Sequence, residues 1–103
     1  MRRKKTQNAL ELIARDVSPV GGADPRFRAR VAEEKFNAQI ARMVLEARTA
    51  ARLTQQELAD LAGTTQPVIA RLEDADYEGH SLRMLRRIAR ALDRELEIRL
   101  VGG

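Results

Sequence analysis

Two glutamines and one arginine are the side chains of this sequence best suited to recognising another molecule. Gln55, Gln66 and Arg71 lie in the segment 55–73, which reads QQELADLAGTTQPVIARLE. An exposed glutamine amide can bind the adenine edge in the major groove, and an exposed arginine can bind guanine or a phosphate. The chemistry that this segment offers is therefore hydrogen bonding to nucleic acid.

Catalysis has much weaker support. The sequence has no cysteine and a single histidine, His80, and it lacks a glycine-rich phosphate loop or a placed pair of carboxylates. His80 sits in a polar loop, where a loop or cap role is expected. The acidic stretch 73–78 lacks the Asp/Asn-Gly rhythm of a calcium loop and favours a solvated turn. We expect no enzyme activity, no catalytic residue, no metal and no cofactor.

Two short helices must position the polar side chains. A capping box at Thr54 predicts a helix over 54–62, and Gly63 ends it in the left-handed conformation. Thr65 is the predicted cap of a second helix over 66–74, whose first turn tolerates a proline. Two helices of about eight residues joined by a tight glycine turn are typical of a helix-turn-helix.

The apolar positions of this segment fit the same arrangement. Ala59 is small where the second helix must cross closely over the first. Leu58, Ala62, Ile69 and Leu72 are predicted to face inward, against a long preceding helix. The outward face near the start of the second helix then carries Thr65, Gln66, Pro67, Ala70 and Arg71.

The flanking segments predict further elements. Residues 6–17 have helical spacing of apolar side chains and predict a short amphipathic helix, followed by a flexible linker over 18–23. A helix begins at Asp24-Pro25 and continues to about Ala51, as one long helix or two. Ser81 caps a further helix.

The segment 95–100 alternates strictly between polar and apolar residues and predicts a strand. Because a lone strand lacks a partner for its backbone, we expect Leu96, Ile98 and Leu100 to pair with the same strand of a second copy, giving a two-fold dimer. A frayed tail, or continuation of the preceding helix, is the alternative. Tyr77 either packs on the core or faces a partner.

The net charge of +4 does not by itself indicate DNA binding. Of the 19 lysines and arginines, four form the tail Arg2-Arg3-Lys4-Lys5, which leaves 15 positive charges against 15 acidic residues. The tail is either a solvated end or an arm that reaches DNA. With neither a signal peptide nor a membrane span, we expect a cytoplasmic protein, nucleoid-associated when bound to its operator.

The segment 36–92 resembles the lambda-type phage repressors and Cro-like regulators, the XRE family. Leu53-Thr54-Gln55 matches the start of that family's first motif helix. Ala59, Gly63 and Ile69 match its small, turning and buried positions, and Gly63-Thr64-Thr65-Gln66 matches the start of the recognition helix.

The resemblance implies roles for individual residues. Gln55 would bind a phosphate and brace Gln66, and Arg48 and Glu73 would form an interior ion pair. The residues facing DNA would be Gln55, Thr64, Thr65, Gln66, Pro67 and Arg71. The acidic loop 73–78 departs from the family, so the start of the Ser81 helix or Arg83 is expected to contact phosphates instead.

The final strand, the loop 72–82 and the N-terminal extension resemble antitoxins of bacterial type II toxin–antitoxin modules, HigA-type and HipB-like. This implies autoregulation of an operon with a palindromic operator and neutralisation of a RelE/HigB-like toxin. Leu12, Ile13, Phe27 and Val31 are candidates for binding the toxin or for the core. A stand-alone phage-type repressor, or a protein-bridging co-regulator with the same fold, is the alternative.

The expected fold is all-α: a five-helix, lambda-repressor-like helix-turn-helix domain with an N-terminal helical appendage and a C-terminal strand paired across a dimer. The expected divisions are 1–23 for the tail, short helix and linker, 24–92 for the DNA-binding domain, and 93–103 for the dimerisation strand.

Overall fold

The fold is mostly helical, with a small sheet formed by its first and last elements. The computed structural model describes the backbone of residues 9–15 and 24–102, and the side chains of residues 24–102. The elements are β1 (Ala9–Arg15), α1 (Pro25–Ala50), α2 (Gln55–Ala62), α3 (Gln66–Leu72), α4 (Leu82–Ala91) and β2 (Glu95–Val101). The described residues thus form four helices, one fewer than expected. The basic tail 2–5 and the linker 18–23 lie outside them.

α1 is one continuous helix of 26 residues. The Asp24 side chain accepts a hydrogen bond from the Arg26 backbone N–H at 2.9 Å, and Pro25 occupies the first turn. In the second half of the helix, Ile40 and Val44 are buried, whereas Phe27 in the first half is 57 % exposed. The change of apolar phase along the helix therefore marks where it meets the core and does not mark a break.

The two short helices begin and end on local hydrogen bonds. The Thr54 hydroxyl accepts from the Glu57 N–H at 3.0 Å, and the Glu57 carboxylate accepts from the Thr54 N–H at 2.8 Å, which completes the predicted capping box. Gly63 ends α2 with φ of 72°. An L-residue with a side chain is disfavoured in that conformation, so glycine is favoured at this turn.

A single aliphatic core holds the four helices together. Every helix contributes to it, and α2 and α3 meet within it through Leu58, Ala59 and Ile69, each fully buried. Helices of seven or eight residues are not stable alone in water, so α2 and α3 depend on this burial. The core consists of Ile40, Val44, Leu58, Ala59, Ala62, Ile69, Leu72, Leu85, Ile88, Ala89 and Leu92.

The helix predicted over residues 6–17 is wrong, because β1 occupies Ala9–Arg15 as a strand. β1 pairs in parallel with β2, in a register that runs from Ala9 opposite Glu95 to Arg15 opposite Val101. A short isolated helix gains little, whereas a strand here satisfies backbone groups that β2 would otherwise leave unpaired. The segment 10–12 also alternates apolar, acidic, apolar, as 96–98 does.

The strand predicted over 95–100 is present as β2, but the chain itself provides its partner. The mostly helical fold and the C-terminal strand are as expected, but the expectation lacked the two-stranded parallel sheet that this strand forms with β1 beside the four described helices. β1 covers one edge of β2, and among the described residues no strand lies on the other edge.

Candidate nucleic-acid interface

α3 presents its N-terminal half to solvent. It buries Ile69 and Leu72 against the core. Thr65, Pro67 and Arg71 are exposed, and Gln66 is half-buried at the boundary between core and solvent. The helix thus has one exposed face, and the burial of Ile69 and Leu72 on its opposite side holds its backbone in place.

Gln66 is held by a hydrogen bond across the turn. Its Nε2 donates to Oε1 of Gln55 at 2.7 Å, joining the first residue of α3 to the first residue of α2. Nε2 of Gln55 in turn donates to Oε1 of Glu73 at 3.0 Å. The two amides therefore form a chain that ends on a carboxylate at the C-terminal cap of α3.

The carboxylate of Glu73 is paired with Arg48 from α1. Nε of Arg48 donates to Oε2 of Glu73 at 2.6 Å, and Nη2 donates to Oε1 at 3.0 Å. The side chains are only 12 % and 5 % exposed, respectively. The hydrogen bond to Glu73 raises the pKa of Arg48 above its usual value.

Arg48 also fixes the start of α2. Its Nη1 donates to the backbone carbonyl of Leu53 at 2.7 Å, just before the Thr54 cap. One guanidinium thus joins α1, the entry to α2 and the end of α3. We call the linked side chains Arg48, Glu73, Gln55 and Gln66 the polar relay.

A family model described as a helix-turn-helix domain matches residues 23–101, which is more than half of the chain. The chain belongs to this helix-turn-helix family. The match supports a DNA-binding function. Comparisons with curated proteins and with solved structures found no match.

The turn of the helix-turn-helix is held by an arginine that the sequence did not single out. Nη2 of Arg87 in α4 donates to the carbonyl of Ala62 at 2.9 Å and to that of Gly63 at 2.7 Å. These carbonyls end α2 and have no partner within the helix. No sequence signal separates Arg87 from the other arginines of α4, because the contact joins residues far apart in the chain.

His80 has the structural role that its loop position suggests. Nε2 of the imidazole donates to the carbonyl of Leu72 at 2.8 Å, at the end of α3. The ring of Tyr77 meets that of His80 edge-on, with centroids 5.0 Å apart, and Tyr77 packs against the core. His80 and Tyr77 therefore hold the loop after α3 against the end of that helix and the core.

The outer side of this loop is acidic. Asp74, Asp76 and Glu78 are exposed, and the Asp74 carboxylate accepts from the Asp76 N–H at 2.9 Å.

Two arginines outside this loop are also exposed. Arg52 lies just before α2, and Arg83 lies in the first turn of α4. In the described part of the chain no three side chains could hold a metal ion, and no helix is long and apolar enough to cross a bilayer.

The remaining predicted site residues lie apart from α3. Along β2, Leu96 packs against the core, Ile98 is 47 % exposed and Leu100 is 88 % exposed. On α1, Phe27 is exposed and Val31 is half-buried. Leu12 and Ile13 belong to β1, whose side chains lie outside the described residues. The half-buried Thr64 donates its backbone N–H to Ala59 at 2.9 Å, within the turn.

Replacing Gly63 with alanine should lower the free energy of unfolding by roughly 1–2 kcal/mol, the cost of a left-handed conformation for an L-residue. The added Cβ would also lie 3.2 Å from Nη2 of Arg87, so the guanidinium would have to shift. Urea denaturation measures the loss. Gly102→Ala is the matched control, because a Cβ there meets nothing within 4 Å. Equal stability of both variants would contradict this account of the turn.

Proposed function

We propose that the chain is a transcriptional repressor that binds double-stranded DNA with sequence specificity, using α3 in the major groove. The observation that carries this is the fixed position of Gln66, which the polar relay holds at the exposed N-terminal half of α3. A preordered amide at that place can read a base edge at little entropic cost. Thr65, Pro67 and Arg71 share the exposed face.

Anchoring to phosphates is assigned to residues outside the acidic loop. The exposed Arg52 and Arg83 flank the starts of α2 and α4, where the partial positive charge of a helix end also attracts an anion. Gln55 adds the second N–H of its amide. Three carboxylates in the loop after α3 would repel phosphates. The contacts to the DNA backbone are therefore assigned to Arg52, Arg83 and Gln55.

Gln66→Ala should weaken binding to the preferred site by about 1–3 kcal/mol and relax the preference at one base pair. The site is first selected from a random duplex pool, and affinities are then measured by fluorescence anisotropy at fixed salt. Gln56→Ala is the control, since Gln56 bonds only to Asp60 on its own helix among the described residues. Binding that is salt-sensitive but blind to sequence would instead favour a bridging co-regulator.

The repressor is proposed to act as a homodimer that reads a palindromic operator. Among the described residues no strand covers the edge of β2 away from β1, which permits antiparallel pairing with a second copy, and Ile98 and Leu100 are exposed apolar residues of this strand. Placing Ile98 opposite its own equivalent sets Leu96 against Leu100 and Glu97 against Arg99. Shifting the centre to Glu97 would instead set two like charges together, which is unfavourable.

Charge reversal tests this register. Glu97→Arg alone and Arg99→Glu alone should each weaken the dimer, because like charges then face each other across the two-fold axis. The double variant restores opposite charges and should restore the dimer. Sedimentation velocity at several concentrations gives the dissociation constants. A double variant as weak as either single one would rule out this register, and a monomeric wild type would rule out the dimer.

We further propose that the repressor is a type II antitoxin that autoregulates its operon and neutralises a RelE/HigB-like toxin. Support comes from the resemblance in sequence and from Phe27, whose exposed ring on α1 lies one turn before Val31. α1 also contacts β1, so Leu12 and Ile13 belong to a neighbouring element.

The full chain, co-expressed with the product of the adjacent gene, should co-purify with it and restore growth of cells that the gene product arrests. Phe27→Asp should abolish both effects, since a carboxylate would enter an apolar contact. Leu61→Asp is the control, because Leu61 is a similarly exposed apolar residue on α2. Absence of any complex with the wild type would leave a stand-alone repressor.

A further inference from the structure

The donor and acceptor roles in the polar relay are set at the ion pair between Glu73 and Arg48. The Glu73 carboxylate accepts two hydrogen bonds from Arg48, and an ionised carboxylate can only accept. Gln55 must therefore turn its Nε2 toward Glu73, where the distance is 3.0 Å. The orientation of the Gln55 amide follows from the ion pair.

The orientation of the Gln55 amide in turn determines the orientation of the Gln66 amide. With its nitrogen committed to Glu73, Gln55 presents Oε1 toward α3, and an oxygen there needs a donor. Gln66 supplies it through Nε2, at 2.7 Å. Within the described part of the chain, the groups of Gln66 left without a partner are its carbonyl oxygen and one N–H.

That remaining pair of groups matches one base. Adenine presents an acceptor, N7, beside a donor, the N6 amino group, whereas guanine presents two acceptors, N7 and O6. A Gln66 amide with its oxygen free and one N–H free complements adenine. The reversed amide would turn its oxygen to Gln55 and offer two N–H groups outward, which suits guanine.

We propose that Glu73 is a specificity-determining residue that acts through Gln55: it fixes which way the Gln66 amide points and so makes adenine the base that Gln66 prefers. This inference rests on the proposed reading of DNA by α3. Glu73 touches no base itself. Its role is to position the amide, while the two hydrogen bonds from Arg48 hold its carboxylate in place.

Two variants of the full chain test the proposal in opposite directions. Arg48→Met with Glu73→Met replaces the ion pair by apolar side chains of similar length, a change that folded proteins often tolerate. It removes the acceptor that orients Gln55. Gln55→Lys leaves the ion pair in place but puts a group that can only donate where Gln55 accepted, so Gln66 must present its oxygen to it.

The measurement is a panel of single base substitutions in the selected DNA site, read by fluorescence anisotropy, with thermal melting to verify that each variant is folded. The wild type should prefer adenine over guanine at the Gln66 position by about 5- to 150-fold. The Met pair should reduce this preference to within about 3-fold and leave other positions unchanged. Gln55→Lys should invert the preference toward guanine.

Gln56→Lys is the matched control, because it adds the same charge one residue away and lies outside the relay. It should tighten binding to all sequences and leave the preference at the Gln66 position intact. An adenine preference unchanged in both Gln55→Lys and a folded Met pair would overturn the role of Glu73, as would a wild type that prefers guanine there. Neither result would affect DNA binding by α3, which fails only if wild-type binding is blind to sequence or Gln66→Ala changes nothing.

Discussion

The ion pair between Arg48 and Glu73 is the interaction on which the geometry of the proposed DNA-binding face depends. Both side chains are almost entirely shielded from water, and removing either partner would strand a charge at a cost of about 3–5 kcal/mol. The pair adds little net stability compared with apolar residues of the same size. The pair fixes geometry instead. Arg48 joins α1 to the start of α2 and the end of α3, and Glu73 accepts a hydrogen bond from the amide of Gln55.

The aliphatic core performs the complementary task. Large aromatic side chains are absent from it, and α2 and α3 are too short to persist without the burial of Leu58, Ile69 and Leu72. Burial fixes where the helices lie but says nothing of how a polar side chain on their outer face is turned. That second kind of order comes from hydrogen bonds with a fixed donor and acceptor sense, which is what the polar relay and the Arg87 contact provide.

Local patterns sufficed to predict the helix-turn-helix itself. The capping box at Thr54, the turn at Gly63 and the buried position of Ile69 all depend on neighbours in sequence, and each has a physical cause that a short segment contains. The family match over residues 23–101 confirms the domain, while the roles of individual residues on DNA stay predictions. The resemblance also suggested that Arg48 and Glu73 would pair, which no spacing rule could have given.

The expectations that failed concern contacts distant in sequence. Residues 9–15 carry apolar spacing compatible with a helix, and only the presence of β2, some 80 residues later, makes a strand the better solution. Because β1 pairs with β2, one edge of β2 has backbone hydrogen bonds without a second copy of the chain. Arg87 caps the end of α2 across a similar tertiary contact, and its residue type alone does not distinguish it from surface side chains.

In the proposed reading of DNA by α3, the charge distribution explains why the orientation of a single amide matters. Outside the tail 2–5, positive and acidic residues are equal in number, and three of the carboxylates lie in the loop that follows α3. A domain with little net attraction for phosphates gains little from contacts that ignore sequence. More of its binding free energy must then come from groups aimed at base edges, and such groups contribute only when their donors and acceptors face the right way. An ion pair that is largely shielded from water and adds little net stability suits that purpose, because it fixes the direction of hydrogen bonds where attraction by charge is weak.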